Sequence, residues 1–122
     1  MATASGHTTA ILASKVKGTS VYDTDGDKIG AIEDIVLDKL SNNIMFAVLG
    51  SGGMLGLGEK FRPIPWSTLD YDPEKGGYVV PMSKDMLEMA PSVNSMDELT
   101  HHDGEVALRQ ETYSYYHAPQ YW

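Results

Sequence analysis

Between Lys15 and Pro81 apolar residues alternate with polar ones or gather in short runs, and clusters of Gly, Pro, Asn and Asp separate the runs. That texture belongs to strands joined by turns. Gly18-Thr19-Ser20-Val21-Tyr22 predicts a short first strand. Lys28 to Asp38 predicts a second, with Ile29, Ala31, Ile35 and Leu37 on one face. Glu33 interrupts that face, so a bulge or bend is expected there. Ser41-Asn42-Asn43 is turn-forming, because Asn tolerates positive φ. Ile44-Met45-Phe46-Ala47-Val48-Leu49 is apolar on both alternations, which predicts a strand covered on both sides. Lys60 to Trp66 predicts a further strand. Pro63 and Pro65 cannot donate to a ladder and confine it to an edge or make it irregular. Leu69-Asp70-Tyr71 and Gly77-Tyr78-Val79-Val80 flank DPEKGG, a hairpin-like turn.

Beyond Pro81 the period changes. Ser83 reads as a helix N-cap, with Asp85 in the first turn, Pro91 past the end, and Met86, Leu87 and Ala90 as the apolar side. Ser95-Met96-Asp97-Glu98 matches a capping box, and Gly104 is the expected stop of the helix it opens. The closing segment ETYSYYHAPQYW carries Tyr113, Tyr115, Tyr116, Tyr121 and Trp122. Disordered tails are poor in aromatics. This one is therefore expected to dock, with Trp122 ordered, on its own domain or on a second subunit. The organisation expected is a flexible N-terminus over 1–9, one small domain over 10–91, and a C-terminal helix with an aromatic tail over 92–122.

The stretch YDTDGDKIGAIED spaces Asp23, Asp25 and Asp27 as calcium-loop ligands would be spaced. These are the chain's candidate metal ligands. An EF-hand loop needs Gly at position 6 and a bidentate Glu at position 12. Lys28 and Asp34 stand there instead. Asp25-Gly26 is a standard hairpin turn between Tyr22 and Ile29, and the turn explains more. His101-His102-Asp103 offers imidazoles and a carboxylate, but neighbours on a helix point about 100° apart, so a solvated helix end is expected. The glycine loop 50–59 lacks the lysine of a phosphate-binding loop, since Glu59 follows Gly58. What it does hold is Met54, Leu55 and Leu57, which either fold into the core or form an apolar interface. Glu33 and Asp34 point to opposite faces if the strand is regular, and no nucleophile elbow occurs. No enzyme, metal or cofactor is expected on these grounds.

Composition narrows the partners. The net charge is −8, with nine Lys and Arg in all. An acidic chain with scattered cations does not suit nucleic acid or anionic lipid. Cysteine is absent, which excludes disulfides and thiolate metal sites. The apolar run Ala10 to Ala13 is too short for a signal peptide, and no run approaches the ~20 residues of a membrane helix. A cytoplasmic protein without membrane insertion is the expectation. Its small core would gain from self-association.

These motifs together carry a family likeness. Val16 to Tyr22, Asp25-Gly26 with Ile29-Gly30, Ile32-Glu33-Asp34, Phe46 to Leu49, the glycine loop Gly52 to Lys60, Pro63-Ile64-Pro65-Trp66, Gly77 to Val80 and Ala90-Pro91 resemble a PRC-barrel domain. The ending Tyr115-Tyr116 and Pro119-Gln120-Tyr121-Trp122 is similar to the tails of small bacterial members. The resemblance implies a mainly-β protein, a small antiparallel barrel with one or two short C-terminal helices. The same fold forms the cytoplasmic domain of the photosynthetic reaction-centre H subunit and part of a ribosome-maturation factor. It serves there as a protein-contact or assembly module, with no catalytic residues to carry over. The expected function is thus protein contact, as a homodimer, through Met54, Leu55, Leu57 and the five tail aromatics. The alternative is a regulatory domain that binds a small molecule or a metal ion.

Overall fold

The computed structural model describes residues 10–50, 60–100 and 102–118. Four strands run as an antiparallel meander: β1 (Ser20–Tyr22), β2 (Lys28–Leu37), β3 (Ile44–Gly50) and β4 (Phe61–Pro65). A 3₁₀ turn, Trp66–Thr68, leads to the hairpin of β5 (Asp70–Asp72) and β6 (Gly77–Val79). That hairpin pairs through β6 with β1, giving the order β4-β3-β2-β1-β6-β5. The fold is mainly β, as expected, but one ladder departs from the antiparallel expectation. β6 runs parallel to β1, because the chain crosses the molecule between β4 and β5 before it pairs again. Among the described residues no ladder joins β4 to β5, so the six-stranded sheet is mixed and open.

Bulges shape this sheet. Ile32 pairs with Leu49 and Asp34 with Val48, which leaves Glu33 as an extra, exposed residue at the expected interruption. An extra residue bends the strand and shifts its faces by one. A second extra residue is Ile29, where the β1 register jumps from Val21–Gly30 to Tyr22–Lys28. Ile29 and Ile32 consequently both enter the main core, although they are three residues apart. The expected face of Ile29, Ala31, Ile35 and Leu37 is corrected accordingly. Leu37 is exposed, because a third shift between Val36 and Leu37 ends the regular alternation.

β3 is the strand with no solvent side. Ala47 and Leu49 face the main core with Val21, Ile64, Val80 and Leu87. Val48 packs with Val93 and Leu99, and Met45 and Phe46 pack with Tyr113. Both covers of the doubly apolar stretch therefore come from this chain. β4 is the outer strand, as its prolines require. Phe61 donates to and accepts from Val93 (2.9 and 2.8 Å) on the side away from β3. Alternate residues turn their N–H the same way, so Pro63 and Pro65 stand where no donor is needed and blunt the edge.

The helices are α1 (Ala13–Val16), α2 (Lys84–Glu88) and α3 (His102–Tyr115), with a 3₁₀ turn at Met96–Leu99. Ser83 caps α2 through its Oγ, which accepts from the Met86 N–H at 3.3 Å. Leu87 and Ala90 are buried, but Met86 is half exposed, a correction to the expected apolar side. The capping box at Ser95 and Glu98 forms, yet it opens a single 3₁₀ turn that ends at Leu99. Gly104 does not stop a helix; it lies inside α3. The true stop is at His117, in left-handed conformation (φ 54°). His117 N–H donates to Ser114 O and Ala118 N–H to Tyr113 O, and Ala118 packs on the Tyr113 cluster. This is a Schellman ending built on a residue other than glycine. No described helix is long and apolar enough to cross a membrane.

Candidate protein-contact surface

The acidic turn comes first, because it decides whether there is an ion site. Asp23 is 2% exposed. Its Oδ1 accepts the backbone N–H of Asp25 and of Asp27, each at 2.9 Å. Its N–H donates to Asp27 O, and Gly26 N–H donates to its carbonyl. Gly26 (φ 86°) completes the reversal. The carboxylate closes the turn, as an Asx residue does. The Lys75 ammonium stands 5.1 Å over the ring of Tyr22 and beside Gly26, so a cation of the chain already occupies that neighbourhood. Asp25 and Asp27 point into solvent. Among the described residues no three His, Asp or Glu side chains are grouped to hold a metal ion. The side chains of His101, His102 and Asp103 lie outside the described ones. Asp23→Ala is expected to destabilise the protein by about 1–3 kcal/mol, since two N–H groups lose a charged acceptor. Millimolar calcium is expected to leave the wild-type melting curve in place; scanning calorimetry checks both.

The aromatic segment makes the second constellation. Tyr113 is buried, its ring meeting Phe46 edge-on at 5.4 Å. Its hydroxyl donates to Met45 O at 2.9 Å. The reason lies in the sheet: Val36 pairs with Phe46 and Leu37 with Ile44, so the ladder skips Met45. The tyrosine takes up a carbonyl at that bulge. Tyr116, one helical turn on, belongs to the main core with Leu87. Tyr115 is half-buried, meets Tyr116 edge-on at 5.5 Å, and donates its hydroxyl to Met86 O at 2.6 Å. Tyr113, Tyr115 and Tyr116 thus bring the end of α3 against β3 and α2. Tyr121, Trp122, Met54, Leu55 and Leu57 lie outside the described residues.

Two buried hydroxyls, of Thr112 in the last turn of α3 and of Tyr116 just past it, have no hydrogen-bond partner among the described residues. Burial pushes the Tyr116 phenol well above its usual pKa; Tyr115 adds to this and Arg62 opposes it. Arg62 is the residue that sequence reasoning missed. It lies on β4 opposite Leu49 of β3, is 3% exposed, and its Nε donates to Leu87 O at 2.9 Å. Burial lowers its pKa, while Tyr116 and then Glu88 raise it. Flanked by Phe61 and Pro63 it carries no local signal. Its function here is to tie α2 to the edge strand.

Because its hydroxyl is unpaired, Tyr116→Phe is expected to stabilise the fold by about 1 kcal/mol, whereas Tyr113→Phe costs about as much. The pH dependence has a definite sign. A phenol whose folded pKa is raised contributes fully below its unfolded value near 10 and loses that contribution as pH rises through the folded value. Between them stability falls by up to ~1.4 kcal/mol per pH unit in the wild type. Urea titrations at pH 9 and 11 are expected to show a smaller loss in Tyr116→Phe.

An exposed apolar seam lies beside this constellation. Met86 and Met89 sit three residues apart at the end of α2, 48% and 79% exposed. Tyr115 borders them through its bond to Met86 O. Trp66, Tyr78 and Tyr71 meet in sequence, tilted and then edge-on, with centroids 5.6 and 5.2 Å apart. Burial, and then Tyr71, raises the Tyr78 pKa.

Fold and surface together define a small β-domain whose C-terminal helix packs on β3, the strand beside the β4 edge. Residues 8–87 match the PRC-barrel domain family, and the chain belongs to that family. The match ends at Leu87, so the strands and most of α2 lie inside it, and α3 lies beyond it. No curated protein matches the chain.

Proposed function

We propose that the chain is a non-catalytic protein-contact module that works as a homodimer. The observation that carries this reading is the seam of Met86, Met89 and Tyr115. Methionine is flexible and polarizable, and exposed clusters of it suit binding surfaces. An aromatic beside it, half-buried and held by a hydrogen bond, is a rigid anchor that loses little entropy on contact. Family membership supports the reading, since PRC-barrel domains are protein-interaction modules. Homodimerisation through the seam would cover apolar groups on both copies at once, because a two-fold interface uses the same patch twice.

Light scattering coupled to size exclusion tests this. The wild type is expected to run as a dimer at high micromolar concentration, and Met89→Glu as a monomer with an unchanged far-ultraviolet spectrum. A wild type that stays monomeric sinks the homodimer. A Met89→Glu variant that still dimerises moves the interface elsewhere.

A further inference from the structure

Three observations on α3 belong together. It covers part of β3 with Tyr113 and reaches the main core with Tyr116. It does so while burying two hydroxyls, of Thr112 and of Tyr116 just past its end, without partners among the described residues. And it ends on a left-handed histidine where glycine would be unstrained. Each of the last two costs free energy that is recovered when the helix leaves, because water then solvates the hydroxyls and His117 relaxes. The segment before it is held differently. Val93 exchanges two backbone bonds with Phe61, Leu99 is buried with Val48, and Ser95 and Glu98 close a complete capping box. α3 begins three residues after Leu99.

Once α3 leaves, Met45 and Phe46 lose their cover, and the sheet then needs an occupant for that face. The geometry points to α3 of a second copy as that occupant, so that the dimer is formed by reciprocal exchange of the C-terminal helix. The face is already shown to fit this helix: Tyr113 reaches Met45 O, and Tyr115 reaches Met86 O. An identical helix from a second chain restores the same bonds in trans. The closed contacts are the same in both forms, penalties included, so they do not choose between them. What tips the balance is the added contact between copies at the Met86–Met89 seam. Tyr115 joins the two features, since it belongs to α3 and bonds to Met86 of the seam.

This inference rests on the homodimer proposed above, and the test separates the two. Equal amounts of ¹³C-labelled and unlabelled full-length protein are mixed and held until the copies have redistributed. Isotope-filtered NOE spectra are then recorded on the aromatic protons of Tyr113 and Phe46, whose rings lie 5.4 Å apart. Intermolecular cross-peaks between these rings are the expected result. A dimer with only intramolecular cross-peaks overturns the exchange and leaves the homodimer standing. A monomer overturns both. The redistribution rate gives a second readout. Tyr116→Phe removes one group that opening relieves, and is expected to slow mixing about fivefold. An unchanged rate overturns the role assigned to the buried hydroxyls.

Discussion

Gly30→Ala is expected to lower the unfolding free energy by roughly 3 kcal/mol or more, the sum of a backbone and an overpacking penalty. Gly30 has φ 156° and sits on β2 beside the extra residue Ile29, opposite Val21. A Cβ there would overlap the carbonyl oxygen of Gly50 and press on Leu49 Cδ1. The obstacle is backbone, held by the β2–β3 ladder, and cannot swing away. Relief would have to come from sliding β3, which would take Ala47 and Leu49 out of the core. Gly50→Ala is the informative control. A Cβ at Gly50 meets the Glu33 side chain from Cγ outward, and that exposed side chain makes room by changing its rotamer about Cα–Cβ. That variant is expected to lose about 1 kcal/mol. Thermal melts followed by circular dichroism check the pair, with a drop on the order of 10 °C for Gly30→Ala and a few degrees for Gly50→Ala.

The same neighbourhood shows what a sequence can and cannot disclose. Asp25-Gly26, the break at Glu33, the edge prolines of β4, the Ser83 cap and the Ser95–Glu98 box all act within a few residues of themselves. Each is legible because its chemistry is local. The reason for the acidic turn was half legible: the turn was readable, but only geometry shows that Asp23 binds two N–H groups while Asp25 and Asp27 do not. Long-range pairing has no such signature. Nothing in Val21 or Tyr78 announces that β1 and β6 lie parallel, and nothing around Met45 marks the residue that the ladder skips. Arg62 reads as a solvated cation because its burial depends on Leu87 O, which lies 25 positions away. Gly104 misleads in the other direction. Glycine is a common helix stop, but the tertiary contacts of the later turns carry α3 through it. Of the candidate surface, the tyrosine spacing was visible; the carbonyls the tyrosines bind were not.

Tyr113→Ala is the second large effect, with an expected loss of about 3–5 kcal/mol, the range for deleting a buried aromatic. Two losses combine at this residue. The ring is an edge-on partner of Phe46 and fills the space between α3 and Met45. The hydroxyl satisfies Met45 O where the ladder runs past it. Alanine removes both and leaves a buried acceptor unpaired, which is costlier than never having made the bond. The measured loss has a ceiling, however, and the ceiling is informative. If α3 detaches before the sheet unfolds, the variant cannot lose more than the free energy that docks the helix. Hydrogen exchange distinguishes the cases. Helix detachment alone would leave the β2–β3 amides protected and expose those of α3. A loss of protection throughout would mean that the helix and the sheet fold as one unit. The unpaired hydroxyls of Thr112 and Tyr116 favour the first outcome, because they weaken the docking without weakening the sheet. Tyr71→Ala serves as the reference: half exposed on the outer strand β5, it is expected to cost about 1 kcal/mol or less. Position rather than residue type then separates the two tyrosines. One is the bolt between the C-terminal helix and β3, and the other rests on the rim.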